Sequence, residues 1–242
     1  MGIMLHCKTG LVTRDQVFAV PTPPRTKSHC PIPHGKYLAS VQAMLVEHGM
    51  EITQEQHGLS QDGNKYFGLL GLAHDREDYA CTVGVRNSHD KTFPAGIVAG
   101  VRVLVCDNLS FSGEIKLSRK HTRHILTDLN PLMGRMIGKL SRFFNQQDNH
   151  ILAYKQHSLT NDRARFLMVE GVKRGVLGCT HLPKVLEMWE ETPHEEFAEF
   201  NLWRLFNAVT EVAKGWSAQH LVRRTQLLHN MCDAEITIAS AA

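Results

Sequence analysis

The sequence predicts an α+β fold: an N-terminal helix, an antiparallel β-meander of about five strands, then a helical C-terminal half. Three observations predict it. Residues 51–117 divide into short runs that alternate or are dense in valine. Polar turns separate these runs at regular intervals, as in strands joined by hairpins rather than βαβ units. Beyond His124, apolar residues recur at three- and four-residue spacing, the period of helices with one buried face.

Each element has its own warrant. Residues 21–34 (PTPPRTKSHCPIPH) hold five prolines, which remove amide donors and fix φ, so an extended segment is expected. A helix is expected over Gly35–His48, with Tyr37, Leu38, Val41, Leu45 and Val46 on one side and Gly49 as its stop. The first strand is Glu51–His57, followed by a turn carrying Asp62-Gly63. Lys65–Ala73 returns, and after a polar turn come Tyr79–Arg86, the loop Asn87–Phe93, Ala95–Cys106 and Leu109–Leu117. Glycines at 68, 71, 84, 96 and 100 lie inside these strands, where they permit bulges or close backbone approach.

The helical half begins with Ile125–His157, read as one long helix or as two broken near Asn130-Pro131. Asn161–Arg174 follows, with Thr160 as a suitable N-cap. Leu182–Glu191, Phe197–Lys214 and Ser217–Met231 complete the set, and the tail Ile236–Ala242 is expected to fray. Three regions result: an extended Pro-rich N-terminal arm over 1–34, an α+β core over 35–157 and a helical C-terminal region over 158–242.

Composition excludes several classes. With 43% hydrophobic residues and a net charge of only +3, the chain is not a disordered polyelectrolyte. It has no apolar run of about 18 residues, so no membrane-spanning helix is expected, and it lacks the apolar block of a signal peptide. A soluble, cytoplasmic protein is the expectation. Six cysteines stand singly with no CxxC pair, the pattern of reduced packing residues rather than of a disulfide framework.

Charge is unevenly spread. Arg119–Arg174 carries eleven basic and four acidic residues, whereas 176–242 has a net charge of −4, concentrated in Glu187, Glu190, Glu191, Glu195, Glu196 and Glu199. Local potential of this kind steers polyanions. Lys116, Arg119, Lys120, His121, Arg123 and His124 leave the last strand. Arg135, Lys139 and Arg142 then recur at i, i+4 and i+7, a spacing that places them on one face of a continuous helix. Such a row neutralises successive phosphates without reading sequence. Single-strand binders add platforms on which bases stack, and Tyr66, Phe67, Phe93 and Phe111 are candidates.

Other residues carry chemistry of different kinds. His29, Cys30 and His34, with His6 and Cys7, are zinc-ligand types, but the intervening prolines fit no standard finger. Asp75, Glu77, Asp78 and Asp90 are acids of the kind that seat a divalent cation. Ser88, His89 and Asp90 are consecutive, a placement better suited to a self-capping turn than to a hydrogen-bonded relay. No nucleophile elbow, phosphate-binding glycine loop or HExxH occurs. Phe197, Phe200, Trp203, Leu205, Phe206, Val209 and Val212 are apolar at near-helical spacing, open to core packing or a subunit interface.

The segment DYACTVGVRNSHDKTFPAGIVAGVRVLVCDNLSFSGEIKLSRKHTR, with PTPPRTKSHCPIPH and Trp203–Gly215, resembles the phage- and plasmid-borne proteins of the domain of unknown function 932 family. That resemblance implies a mobile-element setting and supplies no catalytic residues. The order helix, meander, long helix is also similar to Rad52-type single-strand annealing proteins, whose basic groove between sheet and helix holds an exposed strand.

The expectation is therefore a nucleic-acid-binding protein, acting on single-stranded DNA in replication or recombination, without a cofactor and assembled as a homo-oligomer. Its expected phosphate contacts are Lys116, Arg119, Lys120, Arg123, Arg135, Lys139 and Arg142, with Arg86, Lys91 and Arg102 from the sheet. Two alternatives stand beside it: a counter-defence protein whose acidic face engages a host protein partner, and a metal-dependent hydrolase.

Overall fold

The alternating and valine-rich runs pair into one antiparallel sheet. The computed structural model describes residues 11–73, 79–104, 108–111 and 116–241. Its strands are β1 (Leu11–Val12), β2 (Ile52–Leu59), β3 (Lys65–Leu72), β4 (Tyr79–Ser88), β5 (Ala95–Val103), β6 (Leu109–Ser110) and β7 (Lys116–Arg119). They lie in the order β1-β2-β3-β4-β5, with β6 and β7 both on the outer edge of β5. The β2–β3 turn is built as its residues require: Gly63 takes φ +70°, and Asp62 accepts from the Asn64 amide at 3.1 Å.

The fifth expected strand is divided. Val98 faces Lys116 and Val101 faces Ser110, so three steps along β5 oppose six along its partner. Gly100 makes room for it: a Cβ there would stand 2.2 Å from the Ser110 carbonyl and 2.5 Å from the Phe111 ring.

The helices are α1 (Arg14–Ala19), α2 (His34–Glu47), α3 (Ile125–Ile137), α4 (Leu140–Gln156), α5 (Asn161–Lys173), α6 (Leu182–Glu190), α7 (Leu202–Ala213) and α8 (Ala218–Ala241), with short 3₁₀ turns at Cys179–His181 and Glu195–Phe197. Thr160 caps α5 as expected, its hydroxyl accepting from the Arg163 amide at 3.2 Å.

Several expectations are corrected. The long helix breaks at Gly138-Lys139, not at Pro131, which sits inside α3. The carbonyl left without a donor by Pro131 belongs to Thr127, an exposed residue. At the true break, Ile137 and Leu140 are both fully buried, and both helices place apolar residues in the same core. The helix expected from Phe197 starts instead at Leu202, where the Asn201 side chain accepts from the Arg204 amide at 2.9 Å. The tail does not fray, because α8 runs to Ala241. Residues 14–19, expected to be extended, form α1, closed by a capping box between Thr13 and Gln16.

Both faces of the sheet are covered. Against one pack α1, α2, α3, the start of α4 and the segment bearing Cys30 and Ile32. A second core, holding Trp189, Trp203 and Phe206, joins Leu69, Tyr79, Val101 and Phe111 of the sheet side to the C-terminal helices. Helix α4 serves both: Phe143 and Phe144 belong to the first core, Ile151 and Tyr154 to the second. The second core thus draws on both sides of the 157/158 boundary. Double coverage explains why β5 reads as a nearly continuous apolar run.

Candidate nucleic-acid interface

Alternation along β3, β4 and β5 sends Phe67, Leu69, Arg86 and Val98 to the face that α8 covers only in part. What remains is an open cleft of about 470 Å³, floored by these strands and walled by Phe93, Phe111 and Leu221, Arg223 and Gln226 of α8, with Lys116 beside it. Its size suits a small organic ligand or one residue of a polymer. The Phe67 and Phe93 rings meet at 5.2 Å, and the Arg86 guanidinium lies 5.4 Å from the Phe93 centroid. Arg86 is half-buried, burial holds its pKa below the usual guanidinium value, and no carboxylate pairs with it among the described residues. Of the four aromatic candidates, Phe67, Phe93 and Phe111 gather here. Tyr66 belongs to the core on the opposite face, because adjacent strand residues point opposite ways.

From the cleft the β7 edge leads outward. Lys116 is exposed at its start, and exposed Lys120 and Arg123 follow its end. Arg25, far away in sequence, lies against this turn, its Nη2 donating to the Arg123 carbonyl at 3.4 Å. Lys27 is exposed two residues on, in a turn closed by a 2.8 Å bond from the Thr26 amide to the His29 carbonyl. None of these five cations has a carboxylate partner among the described residues.

Behind this surface lies a buried polar seam that fastens residues 29–34 to the sheet. Asn87 is its hub. Its amide nitrogen donates to the Ile32 carbonyl at 2.8 Å and to His34 Nδ1 at 2.9 Å, and its oxygen accepts from His121 Nε2 at 2.6 Å. His34 Nδ1 is thus an acceptor, so the ring's proton sits on Nε2 and is donated to the Gly63 carbonyl at 3.0 Å. His89 stacks on His34 at 3.8 Å and donates to the Ile32 carbonyl, while its own carbonyl accepts from His29 at 3.0 Å. Burial, with neighbouring imidazoles adding to it, pushes His34 and His121 down to about 4 and lowers His89 as well.

The expected contacts do not all converge. Arg119 points toward α3 and is bound by Asp128. Arg135, Lys139 and Arg142 are exposed but do not share one helix face, since Arg135 is on α3, Lys139 in the break and Arg142 on α4. They lie on the layer covering the other side of the sheet. Lys91 is exposed in the 89–93 turn with φ 65°. Arg102 is half-buried on β5, its Nε without a hydrogen-bond partner. His121, read as part of the basic run, is buried and neutral.

The metal candidates are otherwise engaged. His29 and His34 bond to carbonyls and Asn87, and Cys30 is a buried free thiol. Among the described residues no group of three or more His, Cys, Asp or Glu is placed to hold a metal ion. His6, Cys7, Asp75, Glu77 and Asp78 lie outside them. Asp90 caps the Thr92 amide, and Ser88 bonds the Phe93 backbone, making the self-capping turn expected there. The apolar row from Phe197 to Val212 is mostly interior, only Phe200 being exposed, so it offers no continuous subunit face. Within the acidic group, Glu187 pairs with Lys184 and Glu190 with Arg165. No helix among the described residues is long and apolar enough to cross a membrane. No family model, no curated protein and no solved structure matches the chain.

Proposed function

We propose that the protein binds single-stranded nucleic acid, its phosphates following the β7 edge and the turn where residues 25–27 meet residues 120–123. One observation carries this reading: exposed, unpaired cations gather there. Among the described residues Arg25, Lys27, Lys116, Lys120 and Arg123 lack carboxylate partners, whereas Lys173, Lys184, Lys214, Arg163 and Arg165 are each paired; Arg135, Lys139 and Arg142 are unpaired as well but stand on the layer covering the other side of the sheet, away from the cleft. Unpaired cations held on neighbouring segments lose little by receiving phosphates and gain from counterion release.

The aromatic-lined cleft beside Lys116 supports a single strand over a duplex, because a duplex keeps its base faces stacked. The family resemblance adds a setting in the replication or recombination of a mobile element. Arg135, Lys139 and Arg142 fall outside this proposed surface. The test is fluorescence anisotropy with a labelled 20-nucleotide strand at about 50 mM salt, where electrostatic affinity is strong. Saturable binding that weakens steeply with salt is expected, and no binding at that salt would overturn the reading.

A further inference from the structure

Building on that reading, we infer that the cleft between the sheet and the start of α8 receives one unstacked base of the bound strand, and that Arg86 and Arg223 meet the phosphates flanking it. Two features of the cleft ask for an occupant of this chemistry. First, Arg86 is a cation half out of water with no carboxylate partner among the described residues, a costly arrangement unless an anion completes it. Second, the surface between the cations is aromatic and apolar: Phe67 and Phe93 form a tilted pair, and Phe111 closes the far wall. A flat ring bearing negative charge on its tether satisfies both at once, and a nucleotide is such a group.

The cleft has the dimensions for it. It measures about 470 Å³, and small-ligand sites run from roughly 300 to 1,000 Å³. The floor is kept low by Gly84, where a Cβ would stand 3.0 Å from Val98 and 3.4 Å from Phe111. Gln226 supplies an amide donor and acceptor at the wall, the groups that bond a base edge. Lys116 belongs both to the cleft and to the phosphate track, so a strand leaving the cleft passes directly onto the β7 edge.

The test uses the full chain and two 20-nucleotide probes of equal charge, oligothymidylate and a wholly abasic strand, at about 50 mM salt. Tighter binding of the thymidylate by about tenfold or more is expected, the scale of one stacked base. That preference should fall to near unity in Phe67→Leu, which keeps an apolar side chain at a half-buried site. A second readout needs no variant: an iodouracil-substituted strand, photocrosslinked, should attach within peptides containing Phe67, Phe93 or Phe111. Equal affinity for both probes, or crosslinks confined to other peptides, would overturn the inference while leaving the phosphate track standing. Failure of both probes to bind would instead overturn the proposed function itself.

Discussion

Acidification below about pH 6.5 should destabilise this protein steeply, because His34, His121 and His229 are buried in the neutral form. His34 and His121 are pushed down to about 4, and His229, between Ser110 and Tyr154, to about 3. In the unfolded chain each returns to roughly 6.5. The folded values are depressed, so the unfolded chain binds more protons across the window between. Stability is then fully present above about pH 6.5 and is lost as pH falls toward 4. Near pH 5.2, unfolding takes up between about two and three protons at these three sites, at about 1.4 kcal/mol per proton and pH unit. The loss between pH 6.5 and 5 comes to about 5 kcal/mol, comparable with the entire stability of a small protein. Urea unfolding read by tryptophan fluorescence at pH 7.5, 6.5, 5.5 and 5.0 measures it. The midpoint should fall at each step below 6.5, and His34→Gln should flatten the pH dependence by about a third. Midpoints unchanged from pH 7.5 to 5.0 would refute the reasoning.

Two further predictions concern stability. Arg204 is buried and donates only to carbonyls, at 2.7 Å to Trp189, 3.1 Å to Glu190, 3.1 Å to Phe197 and 2.9 Å to Ala198, tying the end of α6 to α7. Arg204→Lys cannot reproduce that planar fork and should cost roughly 2–3 kcal/mol, seen as a fall in Tm of about 5–10 °C. Gly100→Ala places a methyl against the Ser110 carbonyl and should cost about 1–3 kcal/mol by the same assay; a Tm within 1 °C of wild type would show that β6 does not lie so close.

The strands and α2 were legible because their two cores impose opposite demands on alternate residues. Tyr66 and Phe67 illustrate it: one is sealed into the first core and the other lines the cleft. The division of the last strand was not legible, since the close approach of Ser110 and Phe111 to Gly100 is a contact between strands that no turn residue announces. Helix α1 is only six residues long, too short to show a period. In the site, the spacing of Arg135, Lys139 and Arg142 puts them on one face only if the helix is continuous, and it is interrupted at Gly138-Lys139. Arg25 and Lys27 carried no local signal; they join the track through a contact with Arg123 spanning 98 positions. His29 and His34 looked like metal ligands, yet their ring nitrogens are committed to carbonyls and to Asn87. The basic run in the sequence marked the region, and tertiary placement decided which cations border the cleft, pairing among the described residues removing Arg119 alone of those expected.

The most direct test is the salt dependence of single-strand affinity in two triple variants. The five cations of the track contribute about −3.5 to the log–log slope, by themselves roughly a hundredfold weakening from 50 to 200 mM salt. Replacing Lys116, Lys120 and Arg123 with alanine should flatten the slope by about 2.1, while replacing Arg135, Lys139 and Arg142 should leave it unchanged. The reverse pattern, or equal slopes in all three proteins, would contradict a phosphate track along β7.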